Sequence, residues 1–401
     1  MLDLNNHPVL LVMAIGVIAP LLVEIPIGFR LPTVVLEIVV GIVVGPHVLG
    51  FVRAEGLLGW LGGSLGLAAL FFMAGMELDL ERVRGRPLSL AAGGWLLSLA
   101  LGLAAAGLLY VLGFVQYPII LAVTLTTTAV GTLLPILRDG RELETEFGRL
   151  VLAAGAVGEF GPIVMVSLLF TRKYGAWLQV GFMLALIAIT VLAAFAALRV
   201  RSPRILEFLT RTMHSSTQLP VRVSVLFVAF LFVLSETLGL DAVLGAFAAG
   251  MVVGLATRGE DGKTMRQKID AVFFGFQVPF FFVLSGINFD LGGLLQSART
   301  MLLIPVFLTL FLVVRGAPVL LYRNDLAKGE RLSFALYVST ALPMVVAITH
   351  IGVQTGRMQS DIAGALVGAA ILSVLLFPAI GAALRSKSVS LAPSANTGQR
   401  G

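Results

Sequence analysis

Between Arg149 and Arg172 the chain carries no basic residue and, in the middle of that apolar stretch, one carboxylate: Ala153-Ala154-Gly155-Ala156-Val157-Gly158-Glu159-Phe160-Gly161-Pro162. An ionised carboxylate in such surroundings is costly unless it meets a water-filled cavity, a cation or a proton. A proton and a monovalent metal ion (Na⁺ or K⁺, held transiently) can compete for Glu159, and competition at one group is enough to couple their movements in opposite directions. The alternative is a protonated Glu hydrogen-bonded to a neighbouring helix for packing. Two other apolar stretches are broken by hydroxyls, Thr124-Leu125-Thr126-Thr127-Thr128-Ala129-Val130-Gly131-Thr132 and Ser339-Thr340-Ala341-Leu342-Pro343. β-branched residues, Gly and Pro make both poor places for continuous helix. If both unwind, their freed carbonyls join the hydroxyls of Thr126, Thr127, Thr128, Ser339 and Thr340 as the oxygen donors that hard cations want. If neither does, each Thr bonds back to its own turn.

Glu37, Asn288 and Arg315 are the remaining polar groups within apolar runs that could support such a site. Arg315 has two equally good destinations, a solvated head at the cytoplasmic face or a partnership with Glu37 or Glu159. His47, His214 and His350 have no metal-ligand spacing, Cys is absent, and there is no phosphate loop, G-x-S-x-G elbow or H-E-x-x-H pair. No cofactor is expected, and an enzyme is disfavoured.

The elements that must position these groups are membrane helices. Hydrophobic residues make up 58% of the 401, and charged residues only 12%. That balance excludes a water-soluble fold. Apolar runs of about twenty residues, enough to cross ~30 Å of hydrocarbon, recur throughout. They read as thirteen spans, with span 3 centred near Leu67, span 5 near Thr126, span 6 near Ala156, span 10 near Phe280 and span 12 near Val345. Placing the N-terminus outside and the C-terminus in the cytoplasm leaves only Arg53, Arg172, Lys173, Arg299 and Arg357 of the 28 Lys and Arg on the outer side. The net charge of +6 then reflects loop bias in an inner, cytoplasmic membrane and not a nucleic-acid surface. The first span has no basic n-region or cleavage site and reads as a retained helix. Residues 385–401 read as a short disordered tail with no attached regulatory domain.

The chain also resembles itself. Phe71-Phe72-Met73-Ala74-Gly75-Met76-Glu77-Leu78-Asp79-Leu80 matches Phe282-Val283-Leu284-Ser285-Gly286-Ile287-Asn288-Phe289-Asp290-Leu291 at an offset of 211. Thr127-Thr128-Ala129 then matches Ser339-Thr340-Ala341, and Gly140 matches Gly352, at 212. A shift of seven spans reverses direction, so the reading is an inverted-topology repeat, approximately 30–170 against 221–384, linked by span 7 within one transmembrane domain over 1–384. The fold class is therefore all-α and polytopic, with discontinuous helices at spans 5 and 12.

Glu37 with Gly41-Ile42-Val43-Val44-Gly45-Pro46-His47-Val48-Leu49-Gly50, Leu65-Gly66-Leu67 through Gly75-Met76-Glu77-Leu78-Asp79, Leu238-Gly239-Leu240 through Gly250, and Val278-Pro279-Phe280-Phe281-Phe282 with Gly286 together resemble, in order and spacing, the Kef-type branch of the monovalent cation:proton antiporters. That resemblance implies thirteen helices in a scaffold part and a core part, spans 5 and 12 crossing beside the ion site, elevator-like movement and a homodimer. It places Glu159 where the family usually has Asp, and Gly158 where it usually has Asp, Asn or Gln. Span 10 has no Lys of the kind found in electrogenic relatives. The function expected is electroneutral exchange of Na⁺ or K⁺ for H⁺. A non-transporting membrane sensor or partner subunit, and a proton-coupled carrier of small organic anions, are the alternatives.

Overall fold

The computed structural model describes residues 8–24, 33–53, 56–77, 85–130, 133, 136–137, 141–143, 145–170, 176–199, 212, 217–240, 242–257, 260–289, 291–292 and 298–390. The regular structure among them is helical, with no strand. Eight of the helices are long and apolar enough to cross a membrane, and Thr33–Val44, Gly181–Phe195 and Ala242–Ala256 are shorter apolar helices. Leu78, Asp79, Leu80, Gly131, Thr132, Gly140 and Asp290, used above in the repeat and motif readings, lie outside the described residues.

In chain order the elements are α1 (Pro8–Glu24), α2 (Thr33–Val44), α3 (Leu67–Glu77), α4 (Arg86–Val111), α5 (Pro118–Leu125), α6 (Glu146–Phe170), α7 (Ala176–Arg199), α8 (Leu219–Thr237), α9 (Ala242–Ala256), α10 (Glu260–Val272), α11 (Val278–Ile287), α12 (Ala298–Gly316), α13 (Arg331–Val338), α14 (Pro343–Gln354) and α15 (Ser360–Ser390). They fall into two compact units interleaved along the sequence, one of Met1–Glu81, Phe160–Met301 and Val346–Gly364, the other of Arg82–Glu159, Leu302–Val345 and Ala365–Gly401.

The first unit is held by backbone-to-backbone approach at glycines, the way apolar helices associate where no hydrophobic driving force separates helix from lipid. A Cβ on Gly41 in α2 would strike Val283 O and Gly286 Cα of α11, and one on Gly286 would strike Ile38 O and Gly41 Cα. The same contact recurs elsewhere in the unit. A Cβ on Gly250 in α9 would strike Phe72 O and Gly75 Cα of α3, and one on Gly75 would strike Phe247 O and Gly250 Cα. Phe72 and Gly75 are the residues that the sequence repeat equates with Val283 and Gly286. π-helical turns add to the parallel, Trp60–Gly66 leading into α3 and Phe273–Gln277 leading into α11. The residues matched in sequence thus make the same kind of glycine contact.

Span 10 begins earlier than its hydropathy indicates. α10, the π turn and α11 run on without a break, so Lys263, Arg266 and Lys268 are helical and not in a loop. The polar first half is anchored by Arg266, whose Nη2 donates to Met76 O at 3.2 Å, satisfying a carbonyl left open at the end of α3.

The second unit contains α4, α5, α12, α13 and most of α15, with Tyr322, Phe334, Tyr337, Phe147 and Leu133 in one buried cluster. Arg385 corrects the expected tail. Its Nε donates to Glu142 Oε1 at 2.8 Å, its Nη1 pairs with Glu330, and its guanidinium lies 4.0 Å from the centre of the Phe147 ring. Held there, α15 continues to Ser390, and 391–401 lie outside the described residues.

Candidate ion site

Both hydroxyl-rich stretches are interruptions. α5 ends at Leu125 and residues 126–129 are not helical; α13 ends at Val338 and α14 starts only at Pro343. The second break follows from Pro343, which has no N–H to donate and disfavours helical backbone at Leu342. The first follows from three consecutive threonines whose hydroxyls compete for backbone partners.

The two breaks meet. Ala129 N donates to Thr340 O at 2.8 Å, and Thr128 Oγ1 donates to Val338 O at 2.6 Å. Thr128 N donates to Gly158 O at 3.2 Å. That carbonyl is open because Pro162, four residues on in α6, has no N–H to offer it. One proline thus ties the span carrying the carboxylate to the broken strand of chain beside it.

Glu159 completes the arrangement. It is 6% exposed, and its Oε1 accepts from Val130 N at 3.0 Å, the first donor past the break. At the second break the group in a comparable place is a hydroxyl: Ala341 N donates to Ser373 Oγ on α15 at 3.1 Å, and Ser373 Oγ lies 2.9 Å from Ala341 O and 2.8 Å from Ala370 O. The two breaks are therefore each closed from the following long helix, once by a carboxylate and once by a neutral group.

Of the five hydroxyls expected at the site, only Thr128 reaches away from its own helix. Thr126 and Thr127 donate to Val123 O and Thr124 O at 2.8 and 2.9 Å, while Ser339 and Thr340 donate to Ala335 O and Leu336 O at 2.6 and 3.2 Å. Unwinding and back-bonding, alternatives in the sequence, occur together. All five are fully buried. Their oxygen lone pairs and the open carbonyls are what the site offers a cation.

Arg315 goes inward. At 3% exposure it donates from Nε and Nη2 to Thr128 Oγ1 at 2.9 and 2.8 Å, from Nη2 to Ala154 O at 3.0 Å and from Nη1 to Ser98 Oγ at 3.3 Å. The snorkelling destination is excluded, and the polar partners are Thr128, Ser98 and a carbonyl. Ser98 and Ser373 were not singled out in the sequence, since a lone Ser in an apolar helix looks like any other small residue. Glu37 and Asn288 belong to the other unit: Glu37 is buried in α2, and Asn288 caps α11 by its main-chain N–H to Leu284 O at 2.9 Å with its side chain exposed.

The family model for the transmembrane sodium/hydrogen exchanger matches residues 11–385. The chain belongs to the sodium/hydrogen exchanger family. Among its relatives, the putative Na(+)/H(+) antiporter YjbQ of Bacillus subtilis is 27% identical over 393 residues, covering 92% of this chain and 61% of that one. The chain thus spans about three fifths of that relative's length. The Na(+)/H(+)-K(+) antiporter GerN of Bacillus cereus is 27% identical over 356 residues, 86% of this chain and 88% of its own. The chain's fold is similar to that of the solved sodium proton antiporter MjNhaP1 of Methanocaldococcus jannaschii, with a TM-score of 0.68 at 16% identity over 96% of this chain and 98% of the other. It is a multi-pass integral membrane protein.

Proposed function

We propose that the protein exchanges a monovalent cation, Na⁺ or K⁺, for H⁺ across the cytoplasmic membrane, with Glu159 taking up either the proton or the metal ion. The observation that carries this reading is the buried Glu159 carboxylate on Val130 N, at the place where the two interrupted helices are hydrogen-bonded to each other. Intramembrane carboxylates at such breaks are where secondary transporters couple ions. The names of the relatives, Na(+)/H(+) and Na(+)/H(+)-K(+) antiporters, support the same exchange.

The finer reading has thirteen spans, N-terminus outside and C-terminus cytoplasmic, with the breaks of spans 5 and 12 crossing at mid-membrane. The protein works as a homodimer by elevator-type alternating access, the unit that holds both breaks being the moving body. Thr126, Thr127, Thr128, Ser339 and Thr340 lend oxygens to the cation. One carboxylate carries one proton or one cation, so the exchange is one-for-one and electroneutral. The second break supports this count, because its Ala341 N donates to the Ser373 hydroxyl and not to a carboxylate.

Proton flux in proteoliposomes, driven by gradients of Na⁺, K⁺, Li⁺ or small organic anions, tests the proposal. Cation-driven flux that ignores an imposed membrane voltage is expected. Flux driven by anions alone, or none in folded protein, would favour the anion-carrier or the non-transporting reading instead.

A further inference from the structure

Position 158 is filled from elsewhere. A Cβ built on Gly158 would lie 2.6 Å from Arg315 Nη2, 2.7 Å from Thr128 Oγ1 and 2.9 Å from Thr128 Cβ. No side chain fits unless both the guanidinium and Thr128 give way. The guanidinium itself is buried, and its four hydrogen bonds, to Thr128, Ala154 O and Ser98, all end on neutral oxygens among the described residues. A buried cation whose hydrogen bonds end on neutral oxygens imposes its charge on whatever binds nearby, undiluted by water.

We propose that Arg315 is a fixed positive charge of the ion site, housed in the volume that a side chain at position 158 would occupy, and that it sets the affinity for the transported cation. Its fork also holds the broken segment at Thr128, but the charge is the part that acts on the substrate. With Glu159 ionised, the empty site is neutral as a whole; loading adds a second cation to one already there. Arg315 therefore weakens cation binding and favours release. This inference rests on the reading of Glu159 as the transport carboxylate.

The test uses the full-length protein in proteoliposomes, with apparent KM for Na⁺ and K⁺ and maximal rate measured separately, after size-exclusion chromatography has shown each variant to be folded. Arg315→Gln, which keeps a donor for Thr128 but no charge, should lower the cation KM by roughly tenfold or more, the effect of one unit charge at or within about 12 Å at an effective dielectric of about 20. Arg315→Lys should stay near wild type. Gly158→Asn should abolish flux. Equal loss of activity in the Gln and Lys variants, or an unchanged KM in Arg315→Gln, would overturn the charge role; wild-type kinetics in Gly158→Asn would overturn the shared volume. If Arg315→Gln fails to fold, Arg315→Met beside Arg315→Lys decides by the same KM comparison. A wild-type protein with no cation-driven flux would sink the antiport reading itself, a different outcome from all of these.

Discussion

Val130 N donates to Glu159 Oε1 at 3.0 Å, so the carboxylate that would bind the ion also holds the first main-chain donor beyond a helix break. On the proposed reading, an ion arriving at Glu159 would meet a group already fixed in place by the backbone. At the second break the holding group is neutral, Ser373 on Ala341.

That pairing gives a stability prediction. Ser373→Ala leaves Ala341 N–H without its acceptor in a buried setting, which costs about 1–3 kcal/mol. Thermal unfolding in detergent should show a clear loss for Ser373→Ala and a much smaller one for Ser373→Thr.

The glycine contacts of the first unit make a second prediction. Gly75→Ala and Gly286→Ala each drive a methyl into a main-chain carbonyl, of Phe247 and Ile38 respectively, and overpacking of this kind costs about 1–3 kcal/mol. Gly93→Ala, with nothing within 4 Å of its Cβ, should be neutral or slightly stabilising. Melting temperatures of the three variants would show the contrast.

A third concerns Arg385, which is joined to Glu142 and Glu330 with its side chain 11% exposed. Removing it as Arg385→Met strands two partly buried carboxylates. The expected cost lies between the ~1 kcal/mol of an exposed pair and the ~3–5 kcal/mol of breaking a buried one. The triple variant with Glu142→Gln and Glu330→Gln should regain much of it. A stability loss that the triple variant does not relieve would mean that the stacking on Phe147 is what matters.

Both breaks and the glycine contacts were legible in the sequence because they are written in residue types with strong backbone consequences: Gly75 and Gly286 at helix contacts, the threonine run, and Pro343. The burial of Glu159 was legible because it lies in an apolar run. The inward course of Arg315 was not, since a long side chain near a span end reaches water or a partner equally well, and only the placement of Thr128, Ser98 and Ala154 O decides. Gly158 read as a lost polar group; the structure gives it a reason, the guanidinium beside it. Ser373 could have been found by carrying the offset of about 212 past Glu159, where a hydroxyl falls within two residues of the matching position. The π turns before α3 and α11 carry no signal of their own beyond their glycines.

The most direct measurement is cation-driven proton flux in proteoliposomes for Glu159→Gln beside wild type and Glu159→Asp. Gln keeps an oxygen for Val130 N and the volume of the side chain, but it neither ionises nor takes up a proton. The account predicts a folded Glu159→Gln protein with flux at the level of empty vesicles and a Glu159→Asp protein that still exchanges. Wild-type flux from Glu159→Gln would contradict it.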